Sequence, residues 1–275
     1  MKNQQIHVGE EQLIEEEYLN ELLHYQAQFK MVPKISQLIE MVIDAISALK
    51  MGNLPPRLPV LEIDEAMIAD LQQSVLARYP NQPELGNAFW QTQINALSEL
   101  DFLFRHFRDF IIEQFSMYGY ISAPWIQALS KYLNGRTTLE LMAGRGYLTA
   151  GLRACNQDQL IVAIDNATWI NQPDVRHQSE ITAVEHLDVQ LALEKYGAQS
   201  EVIIMSWAPD TSEIDVAVLE WIRMHFKGEL IVIGELEGAT NSKKFWQTAQ
   251  ITPIKSLNDR YPSFDLIDEK TYHVE

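Results

Sequence analysis

Apolar residues recur at the spacing of an α-helix through the first 117 residues of the chain. The first stripe predicts a helix over residues 10–30. A second stripe ends at Gly52, and Asp64 is placed to cap a third helix that reaches about Arg78. A fourth stripe, which predicts one long helix, consists of Trp90, Ile94, Leu97, Leu100, Phe104, Phe107, Ile111 and Phe115. We therefore expect an all-helical N-terminal region over residues 1–117.

From residue 118 onward, short apolar runs alternate with amphipathic helices. Such alternation is typical of a mostly parallel sheet with helices on both faces. The runs that predict strands are residues 137–142, 160–164, 181–188, 201–205 and 228–234. The pattern weakens after Trp246, where we expect a last antiparallel edge pair whose register the sequence leaves open. The fold class is thus α/β, with a Rossmann-like domain over residues 118–275 behind the helical region.

Composition excludes several classes of protein. The chain of 275 residues is 47% hydrophobic, which is enough for a buried core, and its formal charge of −17 argues against bulk nucleic-acid binding. No apolar run is long enough for a bilayer, and no signal-peptide core follows Met1, so we expect a cytoplasmic protein without membrane contact. One cysteine excludes an intramolecular disulfide, and the scattered histidines give no metal site or catalytic triad.

A glycine turn separates the first predicted strand from the helix that follows it. The strand contains Glu140 among apolar residues and ends at Met142, and the turn itself runs from Ala143 through Gly144 to Gly146. A turn of this kind directs the free N–H groups of the new helix toward a ligand above the strand end. Glycine suits the turn because a Cβ would block close approach of that ligand.

This stretch resembles motif I of the S-adenosylmethionine-dependent methyltransferases with a Rossmann-like fold, written Glu/Asp-x-Gly-x-Gly-x-Gly. Glu140 takes the acidic position, and Gly144 and Gly146 take the last two glycine positions. Met142 replaces the first glycine, which is a departure from the motif. The resemblance covers about residues 118–240 and implies S-adenosylmethionine as cofactor, held by the strand end and the turn through Glu140, Met142, Ala143, Gly144 and Gly146.

Acidic residues follow the second and third predicted strands. Asp165 lies at a distance from Gly146 that suits a carboxylate accepting hydrogen bonds from both ribose hydroxyls, with Asn166 beside it. Alternatively, Asp165 only caps the turn into the next segment. The resemblance implies that Asp188 accepts a hydrogen bond from the adenine amino group, although a helix N-cap explains Asp188 equally well.

The acceptor side of the cleft is predicted to lie beyond the fourth and fifth strands, because ligands of open α/β sheets bind where strand order reverses. Ser206 and Trp207 follow the fourth strand, and Glu235 follows the fifth, where it either binds a cationic substrate or is a solvated acid. The segment Ser206-Trp-Ala-Pro209 matches the Asn/Asp/Ser-Pro-Pro-aromatic motif of amino methyltransferases only in part. The acceptor is predicted to be a small molecule or protein.

The favoured function is methyl transfer by direct displacement, and other hypotheses remain open. A nicotinamide-dependent oxidoreductase would need a third glycine where Thr149 stands. A non-catalytic adenosyl-binding or regulatory protein on the same fold is favoured by Met142 and by the partial motif after the fourth strand. An ATPase is excluded by the lack of a Gly-Lys-Ser/Thr loop. The helical region either covers the acceptor side of the cleft or forms a homodimer.

Overall fold

A seven-stranded sheet forms the centre of the protein in a computed structural model that describes residues 16–171 and 179–275. The strands are β1 (Thr138–Leu141), β2 (Ile161–Asp165), β3 (Glu185–His186), β4 (Val202–Ser206), β5 (Glu229–Glu235), β6 (Ile251–Pro253) and β7 (Glu269–Val274). Their order across the sheet is β3-β2-β1-β4-β5-β7-β6. The first five strands pair in parallel, whereas β7 runs antiparallel to both of its neighbours.

Helices precede the sheet and connect its strands. They are α1 (residues 16–28), α2 (Pro33–Lys50), α3 (Glu65–Arg78), α4 (Pro83–Arg105), α5 (Phe107–Phe115), α6 (Ala123–Leu133), α7 (Tyr147–Cys155), α8 (Val189–Tyr196), α9 (Ile214–His225), α10 (Lys243–Thr248) and α11 (Lys255–Asn258). The predicted cap of α3 is confirmed, because the Asp64 carboxylate accepts from the Met67 N–H at 2.7 Å. Residues 10–15, where the first helix was predicted to begin, lie outside the described residues.

The single long helix predicted through Phe115 is wrong. The chain leaves helical geometry at His106, which has a ψ of 9° and separates α4 from α5. The ring Nδ1 of His106 lies 2.8 Å from the carbonyl oxygen of Phe102, the same oxygen that accepts the His106 backbone N–H. A side chain that competes for a ladder carbonyl is a recognised cause of such breaks. The apolar stripe continues across the break, which is why the spacing alone did not show it.

The strand predictions hold best at the centre of the sheet. The β4 residues Ile203 and Met205 pack on one face and Val202 and Ile204 on the other, which explains their continuous apolar run. The third strand is shorter than the predicted residues 181–188, because only two residues pair with β2. The antiparallel edge pair is confirmed, and its register places Ile251 opposite Val274.

Helices cover both faces of the sheet, which confirms the predicted fold class. One apolar core contains residues of α1–α7 and α11 together with Ile204 and Ile231. The other core joins α8, α9 and α10 to the opposite face. The first core runs across residue 117 without a break, so the boundary between residues 1–117 and 118–275 stays a prediction. No helix within the described residues is both long and apolar enough to cross a bilayer.

The strand order reverses between β1 and β4. From β1 the chain continues outward to β2 and β3, and β4 then returns to pair on the other side of β1. Loops that leave the carboxyl ends of β1 and β4 therefore diverge and open a crevice above the sheet, the usual position of ligand sites in open α/β folds.

Candidate functional site

A cleft of about 690 Å³ lies above the carboxyl ends of the central strands. This volume is in the range of small-molecule sites, roughly 300–1,000 Å³. Its lining comes from the glycine turn, the loops after β2, β4 and β5, the start of β7, and the segment that joins α5 to α6. The predicted site residues among its lining are Glu140, Met142, Ala143, Gly144, Asp165, Asn166, Asp188 and Trp207. The helical region thus supplies part of the wall, through residues such as Arg108 and Met117.

Glycine is required at the two positions of the turn for different structural reasons. Gly144 has a φ of +53°, and a Cβ added there would meet no atom within 4 Å, so the space above it is open to a ligand. Gly146 has a φ of +82°, and its Cβ would lie 2.9 Å from methyl groups of Thr182 and Val184. Gly146 does not line the cleft. Close packing of protein, and not approach of a ligand, therefore requires glycine at 146.

Met142 occupies the position of the first motif glycine and keeps a left-handed backbone, with a φ of +59°. Residues with a Cβ adopt this conformation at a cost of roughly 1–2 kcal/mol. The side chain is half-buried and lines the cleft. The turn therefore retains a backbone suited to glycine while a methionine side chain occupies part of the space that the motif leaves open.

Asp165 connects the ends of β1 and β2. Its Oδ2 accepts from the Gly144 N–H at 2.8 Å, and its Oδ1 accepts from the Ala167 N–H at 2.6 Å. A carboxylate has about four acceptor sites, so these two bonds leave capacity for two more. Burial raises the pKa of Asp165, while the hydrogen bonds from Gly144 and Ala167 oppose that shift. Asp165 therefore caps its turn and also keeps acceptor capacity in a carboxylate that lines the cleft.

Asn166 and Asp188 border the same end of the cleft, and each also has a local structural role. The Asn166 Oδ1 accepts from the Thr168 N–H at 3.1 Å, which closes the turn after β2. The Asp188 carboxylate accepts from the Gln190 N–H at 2.8 Å and caps α8. Both side chains are exposed. The capping interpretation of Asp188 is thus observed, and its second oxygen is available to a ligand.

Glu140 is a buried carboxyl within β1, 1% exposed, and it accepts a hydrogen bond from the Thr149 hydroxyl on α7. Burial raises the pKa of Glu140 to about 7, and the bonds from Thr149 only partly offset this. The group is therefore poised to change protonation near neutral pH, next to a site whose other carboxylates are more accessible.

We expect the stability of the protein to fall as pH rises from about 4.5 to about 7. The folded state holds the Glu140 proton more tightly than the unfolded chain, so the favourable contribution is complete below pH 4.5 and is lost above the folded pKa. A shift from 4.5 to about 7 corresponds to on the order of 3 kcal/mol. Urea unfolding of Glu140→Gln should lack this component, and Glu40→Gln, at an exposed position of α2, serves as the control. Identical pH profiles for wild type and Glu140→Gln would contradict the assignment.

Two predicted acceptor residues lie outside the cleft lining. Ser206 is 1% exposed, and within the described part of the chain its hydroxyl has no hydrogen-bond partner. Glu235 accepts from the Ala239 N–H at 2.7 Å and from the Asp268 N–H at 3.0 Å, so it fixes the loops after β5 and before β7. Of the three predicted acceptor residues, the structure places only Trp207 on the cleft.

A buried ionic network that the sequence did not reveal forms the wall behind Trp207. The Trp207 Nε1 donates to Glu269 Oε1 at 2.6 Å. The Arg108 guanidinium pairs with Glu269 at 3.2 Å and with Asp265 at 2.5 Å, and the Tyr261 hydroxyl donates to Glu269 at 3.3 Å. Burial raises the pKa of Glu269, while the charge of Arg108 opposes the shift. The only sequence signal was an arginine inside the apolar α5, and nothing pointed to its partners more than 150 residues away.

Gly119 packs against the Trp207 indole. A Cβ at Gly119 would lie 1.9 Å from Trp207 Cε2, so Gly119→Ala should displace the ring and weaken its bond to Glu269. Overpacking of this kind costs about 1–3 kcal/mol. Thermal unfolding and tryptophan fluorescence report both effects. Gly86→Ala is the matched control. Gly86 lies in α4, and a Cβ there would make an ordinary contact with Tyr79 at 3.4 Å. An unchanged unfolding temperature in Gly119→Ala would refute the close packing.

The cleft carries more negative than positive groups. Among the residues that the structure describes, its carboxylates are Glu140, Asp165, Asp188 and Glu269, and its guanidinium groups are Arg108 and Arg145. The Arg145 side chain donates to the carbonyl oxygens of Phe115 at 2.6 Å and Ser179 at 2.8 Å. Arg145 therefore supports the turn from behind, and both guanidinium groups are already engaged by the protein. The arrangement favours a cationic or neutral ligand over a pyrophosphate.

Comparison with known proteins gives little beyond this geometry. The sequence matches no protein family and no curated protein. A solved chain from a fibrillarin/Nop5p complex is similar over 55% of this chain and 81% of its own length, at 15% identity and a TM-score of 0.34. A likeness this distant adds nothing to the strand order and the cleft, on which the functional inference rests.

Proposed function

We propose that the cleft binds S-adenosylmethionine and that the protein transfers the methyl group to an acceptor by direct displacement. The observation that carries this proposal is the position of Asp165. Its carboxylate faces the cleft at the tip of β2, is tied to the Gly144 N–H, and keeps two acceptor sites of its four. A ribose offers two adjacent hydroxyl donors, which match that capacity at the place where a mononucleotide-binding half-sheet holds its sugar.

The donor set fits an adenosyl sulfonium better than a dinucleotide. Open space above Gly144 admits the ligand close to the backbone. A pyrophosphate would need a cation or a free cluster of N–H donors at the turn, but the Arg145 guanidinium is committed to backbone carbonyls. The carboxylates around the cleft favour a positively charged sulfur electrostatically. The nicotinamide-dependent alternative is therefore disfavoured.

Each residue then has a defined part in binding. Asp165 accepts hydrogen bonds from the ribose hydroxyls, and Asn166 shapes the same loop. One carboxylate oxygen of Asp188 caps α8, and the other accepts a hydrogen bond from the adenine amino group. Met142, Ala143 and Gly144 border the methionyl portion, Glu140 supports the turn from within β1, and Gly146 holds the turn against the residues before β3. The roles of residues 140–146 follow the resemblance to motif I, that of Asp165 follows its position at the end of β2, and that of Asp188 follows the wider resemblance to the family. The presence of Asp165, Asn166 and Asp188 in the cleft lining supports them.

Methyl transfer from a sulfonium requires few catalytic groups from the protein. When bound, S-adenosylmethionine supplies a methyl group that is already activated by its positive sulfur. The protein must therefore hold the acceptor in line with that methyl group and exclude water. Trp207 follows β4, which lies on the other side of β1 from β2 and Asp165's loop, and it provides that wall. Of the two hypotheses for the helical region, its covering of the acceptor side is supported by Arg108 and Met117 in the cleft lining, since Arg108 pairs with the carboxylate that holds Trp207.

A non-catalytic adenosyl-binding protein is the second candidate. Met142 favours it, since a methionine side chain in the cleft at a glycine position narrows the path of the methionyl group. Under this alternative, S-adenosylhomocysteine binds but no acceptor is methylated. The fold would then serve as a ligand-dependent partner or regulatory subunit.

Thermal unfolding with S-adenosylmethionine, S-adenosylhomocysteine and NAD tests the proposal. A ligand at about 100 times its Kd stabilises the folded state by about 2.7 kcal/mol, so either sulfur compound should raise the unfolding temperature by several degrees. NAD should leave it unchanged. Stabilisation by NAD alone would overturn the assignment. A screen of acceptors with radiolabelled methyl donor then separates the enzyme from the non-catalytic candidate.

A further inference from the structure

Trp207 is the aromatic wall of the part of the cleft that the adenosyl-binding residues do not occupy. It follows β4, is half-buried, and lines the cleft, while Gly119 packs directly against one face of its indole, over Cε2. This packing fixes the ring plane. The indole is therefore a rigid surface that costs little conformational entropy when a flat molecule packs on it.

Hydrogen bonding fixes the same ring from its nitrogen. The Nε1 of Trp207 donates to Glu269 at 2.6 Å, and the carboxylate is itself held by Arg108 and Tyr261. The Glu269 side chain is 6% exposed, so its pull on the indole N–H acts in a medium of low dielectric constant. A donor bonded to a carboxylate makes the indole face more electron-rich, which favours a cation or an electron-poor ring above it.

Charge at this wall selects against anions. The Arg108 guanidinium is shared by the two carboxylates of Glu269 and Asp265, so the positive group is already compensated. The cleft also contains Asp165 and Asp188. An acceptor that carried a phosphate or a carboxylate would meet net negative charge and find no uncommitted cation among the described residues of the lining.

We propose, on the basis of the proposed function, that the acceptor is a flat, largely apolar small molecule, neutral or positively charged, that packs on Trp207. Acceptors with a net negative charge, such as nucleotides and simple carboxylic acids, are selected against. Glu269 is a positioning residue, because it acts on the acceptor through the indole. In the transfer, a lone pair on an uncharged atom of the acceptor forms the new bond to the methyl carbon as the carbon–sulfur bond breaks. The electron pair of that bond stays on sulfur, S-adenosylhomocysteine leaves, and the acceptor takes up the positive charge or releases a proton to solvent.

Three probes that share the indole ring and differ in charge (neutral, positive and negative) test this proposal. Indole, tryptamine and indole-3-acetate are titrated by calorimetry into protein saturated with S-adenosylhomocysteine. We expect indole and tryptamine to bind, and indole-3-acetate to bind at least about tenfold more weakly, given like charges several ångströms apart near a protein surface. Equal or tighter binding of indole-3-acetate, or no binding of any probe at millimolar concentration, overturns the proposal.

Variants locate the probe at Trp207. Trp207→Leu should abolish probe binding. Trp207→Phe should weaken it, because a smaller ring remains, and should keep the charge order, that is, weaker binding of indole-3-acetate than of indole and tryptamine. Trp221→Leu, on α9 and away from the cleft lining, is the control and should bind as the wild type does. Glu269→Gln keeps the shape of the side chain, and it should reduce the preference for tryptamine over indole without loss of indole binding. Unaltered probe affinity in Trp207→Leu contradicts the proposal. If that variant does not fold, the Trp207→Phe result and the charge order in the wild type decide.

Titration of the same probes without S-adenosylhomocysteine distinguishes this proposal from the one on which it rests. If the sulfur compounds do not bind but the probes still show the charge order and the dependence on Trp207, the methyltransferase assignment fails and the aromatic pocket stands. If S-adenosylhomocysteine binds and the charge order is absent, only the acceptor assignment fails.

Discussion

Replacing Asp165 with alanine should weaken the binding of S-adenosylhomocysteine about a hundredfold. The variant removes the carboxylate that we assign to both ribose hydroxyls, and each charge-assisted hydrogen bond contributes about 1.5 kcal/mol at the lower end of its range. Two such bonds correspond to about 3 kcal/mol, or roughly a hundredfold in Kd. Isothermal titration calorimetry on the wild type and the variant measures the difference.

Controls separate this loss of ligand contacts from damage to the loop. Asp165 also accepts from the Gly144 and Ala167 N–H groups, so Asp165→Ala should lose some stability, which urea unfolding reports. Asp165→Asn keeps the shape and one acceptor oxygen, and its affinity should fall between those of the wild type and the alanine variant. Asp210→Ala removes an exposed acid in the loop after β4 and should bind normally. An affinity of Asp165→Ala within twofold of the wild type would refute the ribose assignment.

The second large effect is expected at Arg108. Arg108→Met should destabilise the fold by about 3–5 kcal/mol, the range for removing one partner from a buried ion pair. Glu269 and Asp265 are left close together without the guanidinium, and their side chains are only 6% and 16% exposed. The deficit should shrink as pH falls, because burial already raises the pKa of Glu269 and protonation removes the uncompensated charge. Urea midpoints across a pH series measure both results.

Arg105 is the matched control for Arg108. It belongs to the preceding helix, carries the same guanidinium, and pairs with Asp101 at 2.6 Å, but its side chain is 61% exposed. Exposed pairs of this kind contribute little to stability, so Arg105→Met should leave the urea midpoint essentially unchanged. Comparable losses of stability in the two variants would show that the net charge of the protein, and not the buried network, accounts for the effect of Arg108→Met.

The local features of the site were accessible from the sequence because each depends on a short stretch. The glycine turn and Asp165 follow apolar runs that could only be buried parallel strands, and parallel strands end at one edge of a sheet. The placement of the cleft followed from that and from the expected reversal of strand order between the first and fourth strands. Met142 was visible as a departure, but its left-handed backbone was not, since a methionine gives no local signal for positive φ.

Features that depend on distant pairs were not accessible. Nothing in the sequence of α5 shows that Arg108 meets Glu269 on the last strand, 161 residues away. The same limit explains Glu235, which was predicted at the acceptor wall but instead closes loops through backbone N–H groups. Ser206 is a further case. Side chains alternate between the two faces of a strand, so a shift of one residue in the predicted strand end changes which face a side chain meets.

The most direct test of the central claim is a calorimetric titration of S-adenosylhomocysteine into the wild-type protein at neutral pH, with NAD titrated in parallel. We expect saturable binding at a single site per chain for the sulfur compound and no heat of binding for NAD. Saturable binding of NAD with no response to S-adenosylhomocysteine would contradict the assignment of the cleft to an adenosyl sulfonium.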